Sequence, residues 1–125
     1  MASFLDVCRF TAVSSGTGSF VVSAAVTGYQ TPASANAVNG ATYRYRAEST
    51  DLSQWEVGYG VYTTGTVTLT RATILFNSLG GSSAINFSAA PQVAVVLLAE
   101  DLVFINPPQG RICLQTLEPV PAVTR

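Results

Sequence analysis

The stretch that decides the fold runs from residue 54 to residue 62 and reads Gln54-Trp55-Glu56-Val57-Gly58-Tyr59-Gly60-Val61-Tyr62. Large apolar side chains recur at every second position from Trp55 to Val61, which is the period of a β-strand. Gly58 and Gly60 alternate with them and leave the opposite face of the strand bare. Glycines at this spacing predict a β-bulge or a second stretch of backbone packed very close to the strand.

Outward from this strand, short runs of β-branched and aromatic residues alternate with Gly, Asn and Pro, and the apolar spacing of an amphipathic helix is missing. We therefore predict an all-β fold, an antiparallel β-sandwich or barrel-like single domain with an extended C-terminal arm. The predicted strands are Phe4–Val13, Ser19–Val26, Thr42–Glu48, Gln54–Tyr62, Val67–Arg71, Ala84–Phe87, Gln92–Leu98 and Arg111–Leu117.

Three local patterns refine this prediction. Thr42–Glu48 alternates between apolar or aromatic and charged side chains, so we expect this strand to bury one face. Asn39-Gly40 favours a type I′ hairpin turn, because both residues tolerate the positive φ that this turn requires. Gln92–Leu98 is the most continuous apolar run and is predicted to be the central strand.

The chain carries very few charges. Six arginines and seven acidic residues make up 10% of the sequence, where about 25% is typical of a soluble domain, and lysine and histidine are absent. Serine, threonine, asparagine and glutamine could coat such a surface, but lysine is the usual guard of an exposed sheet edge. We expect much of the surface to be covered by other copies of the chain or by a larger assembly.

The same composition excludes several classes of partner. A net charge of −1 offers no basic stripe for nucleic acid or for an anionic membrane. The start of the chain has no basic region followed by an apolar run, so we expect no secretory signal and folding in a cytoplasm. The longest strongly apolar run, Val93–Ala99, is far shorter than the roughly 20 residues that a membrane helix needs.

Cys8 and Cys113 lie near opposite ends of the chain. Two cysteines alone do not make a disulfide framework, and the alternatives are a single bond or two small buried thiols. The composition favours the second.

The character of the sequence changes near residue 100. We predict a β-rich globular body over residues 1–101 and a C-terminal strand and extended arm over residues 102–125, because prolines bound that segment and cannot donate to a strand ladder. Such an arm can add a strand to a neighbour. The apolar residues expected to make this contact are Leu102, Phe104, Ile112, Leu114 and Leu117.

Catalytic chemistry has little support in this sequence. Without histidine, the triads that combine a serine or cysteine nucleophile with a histidine base cannot form. Glu48, Asp51 and Glu56 could in principle act as a glycosidase pair, but nearby arginines favour salt bridges instead. We expect no enzymatic activity, no cofactor and no metal site.

Several short motifs follow one another in a fixed order between residues 4 and 100. They are Leu5–Phe10, Gly16-Thr17-Gly18, Val26–Gln30, Trp55–Thr63, Leu69–Thr73, Asn77–Gly81, Ile85–Ser88 and Gln92-Val93. Together they resemble a β-rich module of virion structural proteins from tailed bacteriophages and prophages, of the fibre or decoration type. Members of that family carry a W-E-V-G-x-G-x-Y run, an L-x-R-T strand, an S-N-x-G-G loop and an I-N-F-S strand.

The resemblance implies a structural or attachment role without enzymatic activity. The chain departs from the family opening, Asp-Arg-Val, because Asp6-Val7-Cys8-Arg9 moves the arginine. The segment after Leu102 has no counterpart in the family, so it is expected to carry what is particular to this protein.

We therefore expect a capsid-bound decoration, cement or head-fibre protein that forms a homotrimer and contacts other virion proteins, such as the major capsid or tail proteins. The alternative is a tail-fibre or baseplate piece, or a module that binds a host surface glycan. In a glycan module Trp55, Tyr59 and Tyr62 would form an exposed platform for sugar rings. We expect these three aromatics to lie in the core instead.

Overall fold

The computed structural model describes residues 4–101 of the chain, and the strands in this range pair into one sheet. The strands are β1 (Arg9–Ala12), β2 (Phe20–Ala25), β3 (Thr42–Glu48), β4 (Trp55–Thr63), β5 (Thr68–Leu69), β6 (Thr73–Asn77) and β7 (Gln92–Val95). A single 3-10 turn, Ala99–Asp101, follows β7, and residues 4–101 contain no α-helix. The predicted all-β fold is confirmed.

The strands pair in antiparallel fashion and the sheet closes on itself. The strand order is β3-β7-β1-β2-β5-β4-β6, and β3 also pairs with β4. The long β4 has β3 along one edge, while its other edge pairs with β6 over Glu56–Tyr59 and with β5 over Tyr62-Thr63. This circuit is the barrel-like form of the predicted fold. Closure removes most free edges, which suits a chain that has no lysine to guard them.

Alternation along β3 sends its aromatic residues into the barrel. Tyr43 and Tyr45 are buried, whereas Arg44 and Arg46 face outward, as the sequence pattern predicted. Phe20, at the start of β2, packs edge-on against Tyr45 with ring centroids 5.2 Å apart. The apolar core consists of Leu5, Cys8, Phe10, Ala12, Phe20, Ala41, Tyr43, Tyr45, Ala47, Tyr62, Leu69, Ile85, Phe87, Val93 and Val95.

Three predicted strands are shorter at both ends in the structure, where they run over Arg9–Ala12, Phe20–Ala25 and Thr68–Leu69, and β6 was not predicted as a strand. The first begins only at Arg9, because Val7 has a φ of 51° and interrupts the extended backbone before it. The segment Ala84–Phe87 forms no strand of its own. Phe87 makes one isolated bridge with Gly16 while its side chain is buried in the core.

The predicted central strand, Gln92–Leu98, forms a shorter strand with a neighbour on each side, but it is not central, because the β3–β4 pairing closes the circuit. β7 lies between β3 and β1, and it ends at Val95, after which the chain leaves the sheet. The predicted strand Arg111–Leu117 lies outside the described residues.

The turn at Asn39-Gly40 exists, but the type I′ hairpin prediction was wrong. The amide of Ala41 donates to the carbonyl of Val38 at 3.1 Å, and within this turn only Gly40 has a positive φ, of 82°. The turn joins a loop of successive turns to β3 rather than two paired strands. The sequence analysis missed this because the pair Asn39-Gly40 predicts a turn but does not show whether a strand precedes it.

Gly58 and Gly60 face the barrel interior, where the backbone leading into β6 passes directly over them. A Cβ on Gly58 would lie 2.2 Å from the carbonyl oxygen of Thr73, and one on Gly60 would lie 1.7 Å from that of Thr70. The β4–β6 register also shifts between Val57 and Gly58. The close backbone approach that the sequence offered occurs at Gly58 and Gly60, whereas the bulge it offered as the alternative lies in the partner strand β6, opposite β4.

We predict that Gly58→Ala and Gly60→Ala each destabilise the fold, by about 3 kcal/mol or more at Gly60, because backbone atoms occupy the space of the new methyl group. Gly65→Ala is the matched control, since nothing lies within 4 Å of the added atom. Urea unfolding followed by circular dichroism measures all three. Equal midpoints for Gly60→Ala and Gly65→Ala would contradict this account of β4.

Candidate assembly surface

The three carboxylates considered for catalysis are separated by the fold. Ala47 pairs with Glu56 and Glu48 pairs with Trp55, so the side chains of Glu48 and Glu56 point to opposite faces of the sheet. They cannot flank one substrate. Within residues 4–101, no group of three or more His, Cys, Asp or Glu side chains could hold a metal ion.

Glu56 is fully buried and is held by Arg71. The Arg71 Nε donates to Glu56 Oε2 at 2.9 Å, and Arg71 Nη2 donates to Glu56 Oε1 in a second, parallel bond. The hydroxyl of Tyr45 donates to Oε2 at 2.8 Å, and the amide of Ile85 donates to Oε1 at 2.8 Å. This buried carboxylate is therefore satisfied by four donors, as a charge in an apolar core requires.

The guanidinium of Arg71 also connects separate parts of the chain. It donates to the carbonyl oxygens of Gly16 at 3.0 Å and Ile85 at 2.7 Å, which belong to loops far apart in sequence. Its plane lies over the rings of Phe20 and Phe87, at 4.8 and 5.4 Å from their centroids. One side chain thus joins the β1–β2 turn, the approach to β6 and the segment before β7.

Tyr45 completes this buried cluster. Burial, followed by the negative charge of Glu56 and the hydrogen bond to it, raises the pKa of the Tyr45 hydroxyl well above its ordinary value. The hydroxyl stays protonated and remains a donor to the carboxylate. The cluster is structural, since its members face one another rather than an opening.

We predict that Arg71→Met lowers the free energy of unfolding by about 3–5 kcal/mol, because it leaves the Glu56 carboxylate buried without its cation. Arg46→Met is the control: the Arg46 side chain is 52% exposed and pairs with Glu48 at the surface, so its loss costs less than about 1 kcal/mol. The double variant Glu56→Gln/Arg71→Met should recover part of the loss. Chemical denaturation measures these differences, and equal effects of the two single arginine changes would contradict the central role of Arg71.

The other two carboxylates considered for catalysis, Glu48 and Asp51, lie outside the buried cluster. Glu48 bridges Arg9 and Arg46, as the sequence predicted for the carboxylates near arginines. Asp51 instead accepts hydrogen bonds from Ser49 and Ser53 in the β3–β4 loop. These bonds lower the pKa of Asp51 to about 2.

The outer face of β4 carries the large apolar residues that the sequence analysis expected in the core. Trp55, Val57 and Tyr59 are only half-buried, because the barrel interior lies on the glycine side of the strand. Of the three aromatics, Tyr62 alone is in the core, with 1% of its surface exposed. The prediction that Trp55 and Tyr59 are core residues was wrong. Large apolar side chains usually mark the core face of a strand, but here the face that carries the glycines is the one turned inward.

The bulge opposite Val57 enlarges this apolar surface. Val57 pairs with Phe76 and Gly58 pairs with Ile74, so Leu75 is the extra residue of β6. Phe76 is 49% exposed, and its ring packs against Trp55 with centroids 5.8 Å apart. On the same face the guanidinium of Arg44 lies 4.7 Å from the Tyr59 ring centroid.

An open groove of about 620 Å³ runs beside these residues. We call it the apolar groove, and its walls are Val57 of β4, Leu75 of β6, Arg46 of β3 and the segment Val96–Ala99. Leu97 in that segment is 54% exposed. Apolar side chains that remain open to water in a groove typically mark a contact surface.

The described chain ends at the wall of the apolar groove. The Leu98 amide donates to Asp101 Oδ2 at 2.9 Å and the Asp101 amide donates back to the Leu98 carbonyl at 2.9 Å. Arg44 Nε lies 2.8 Å from Asp101 Oδ1. These contacts fix the point from which residues 102–125 continue.

The residues predicted to make assembly contacts all lie outside the described residues. They are Leu102, Phe104, Ile112, Leu114 and Leu117. Cys113 also lies there, so the structure does not test a bond to Cys8. Cys8 itself is buried, and burial raises the pKa of its thiol to about 11.

No protein-family model, no curated protein and no solved structure matches this chain. In the part of the chain that the structure describes, no helix has the length and apolar character to cross a membrane.

Sequence reasoning missed the Arg71–Glu56 pair and the groove. The signal for the pair was present, because Glu56 has the same strand parity as Gly58 and Gly60 and therefore faces the interior with them. Nothing in the sequence indicated that Leu75 is the extra residue of a bulge or that Val96–Ala99 folds beside it.

We predict that Trp55→Ala lowers the free energy of unfolding by only about 1–2 kcal/mol. The ring is half-buried, so its removal exposes little apolar surface that was buried before, and it breaks one ring contact, with Phe76. Phe20→Ala, in the core, should cost about 3–5 kcal/mol. Thermal unfolding of both variants at one protein concentration, followed by circular dichroism, makes the comparison. If Trp55→Ala destabilised the protein as much as Phe20→Ala, the Trp55 ring would have to be a core residue.

Proposed function

We propose that the chain is a non-enzymatic structural component of a bacteriophage virion. In this proposal it is a capsid-bound decoration, cement or head-fibre protein that assembles as a homotrimer and contacts other virion proteins. The observation that carries the proposal is the apolar outer face of β4 and β6, with its groove, at the place where the chain leaves the barrel.

The surface chemistry supports assembly. Trp55, Leu75, Phe76 and Leu97 present large apolar side chains around one region of the barrel, where a monomeric soluble domain would place charges. A closed trimer would cover such a patch by a heterologous contact that repeats around its threefold axis. The low charge of the whole sequence agrees with a protein whose surface is largely covered by other subunits.

The order of motifs supports a virion role. The two runs that contain W-E-V-G and L-x-R hold Glu56 and Arg71, and the structure joins these residues at the centre of the fold. Glu56 also receives the amide of Ile85, which opens the I-N-F-S run. The motifs that carry the resemblance to phage fibre and decoration modules therefore contain residues that contact one another in the core of this barrel.

The glycan-binding alternative draws on the same aromatic residues but has less support. Tyr62 is buried in the core, and Arg44 covers the Tyr59 ring. Of the proposed platform, Trp55 alone keeps an outward ring that no arginine within residues 4–101 covers. Sugar stacking on three aligned rings is therefore not available on this face.

The experiment has two parts. Light scattering of the purified chain at micromolar concentration should give one monodisperse species with the mass of three copies. Gold-labelled antibodies against the chain should then mark the heads of the phage particles that contain it.

A monodisperse monomer would contradict the oligomeric part of the proposal. Labelling confined to fibres or the baseplate would overturn the head position in favour of the tail. Absence of the chain from purified particles would overturn the virion role itself.

A further inference from the structure

We propose that the apolar groove binds the C-terminal segment, residues 102–117, of a neighbouring copy of the same chain. This inference rests on the oligomer of the proposed function and names the contact that holds it. It follows from the chemistry of the groove, the place where the described chain ends and the sequence that continues from there.

The groove is suited to apolar side chains from an extended segment. Val57, Leu75, Val96 and Leu98 supply apolar walls, and Arg46 is the charged residue among the lining groups. A volume of about 620 Å³ lies in the range of pockets that bury a small ligand, so a few apolar side chains would fill it.

The sequence beyond the described residues supplies such side chains at strand spacing. Leu102 and Phe104 are two residues apart, as are Ile112 and Leu114. In an extended segment each pair lies on one side of the backbone and can enter a groove together. Pro107-Pro108 separates the pairs and disfavours a helix between them.

Geometry favours the neighbouring copy over the same copy. Leu98 and Ala99 form a wall of the groove, and Asp101 is fixed beside it by Arg44 and Leu98. Reversing a chain takes a turn of four residues, so Leu102 and Phe104 follow Asp101 too closely in sequence to turn back into their own groove. A second copy has no such restriction.

The length of the segment allows this exchange. The 16 residues from 102 to 117 could span about 53 Å when extended, about four times the radius of gyration of about 13 Å expected for a domain of this size. An arm of that reach is long enough to cross to an adjacent subunit. In a threefold ring each copy would give one arm and accept one.

The test is disulfide trapping between two differently labelled full-length chains. Both carry Cys113→Ser, whereas Cys8 is kept because it is buried with a raised thiol pKa. One chain carries Val57→Cys in the groove, and the other carries Phe104→Cys or, separately, Leu114→Cys. After mixing, subunit exchange and mild oxidation, we expect a cross-linked heterodimer with at least one arm position.

Val61→Cys is the matched control, because Val61 lies on the same face of β4 but does not line the groove. Mixed with either arm variant, it should give at least tenfold less heterodimer. A chain carrying both Val57→Cys and Leu114→Cys reports the competing occupant, because Leu114 is far enough from Asp101 to reach its own groove and would then give a cross-link within the monomer.

The outcomes separate this inference from the proposed function. Cross-linking only within one chain overturns exchange between copies. No preference for Val57→Cys over Val61→Cys, in a chain that light scattering shows to be oligomeric, overturns the groove contact and leaves the oligomer standing. A chain that is monomeric by light scattering contradicts the proposed function.

Discussion

The buried ion pair between Arg71 and Glu56 is the contact on which the rest of this barrel depends. Taking two charges out of water costs several kcal/mol for each, and only complete pairing compensates for it. Arg71 meets that demand by bonding to the carboxylate and to carbonyls of Gly16 and Ile85. Loops without regular structure are thereby held in place around one guanidinium. A barrel with a two-residue β5 in its circuit needs such a fixed point, because few ladder hydrogen bonds close it there.

The glycines of β4 make the ion pair between Arg71 and Glu56 possible. Gly58 and Gly60 leave room on the inner face of the strand, and the backbone of Thr70 and Thr73 fills that room. This close approach brings Arg71, which lies between those two threonines, within reach of Glu56 on the same face of β4. Any side chain at the glycines would push the segment outward and separate the charges.

The consequence for function lies on the other side of the same strand. Because the small and polar residues of β4 face inward, its large apolar residues, Trp55, Val57 and Tyr59, face outward. The bulge at Leu75 adds to them, and the segment after β7 turns beside them to form the apolar groove. A surface of this kind is costly to leave in water, and this is the physical basis for proposing an assembly role for a chain with so few charges.

The sequence by itself determined the all-β class, the alternation of β3 and the need for close packing at Gly58 and Gly60. It also indicated that β7 is a strand with a neighbour on each side. These follow from local period and from glycine's missing side chain, which any environment must respect. Only the tertiary structure decided which face of β4 is inward, because periodicity gives two faces and does not say which one meets the core. It also decided that Glu56 pairs with Arg71 and that Leu75 and Leu98 share a groove. Those contacts join residues far apart in the chain, and their geometry is set by how the sheet closes rather than by any neighbouring residue.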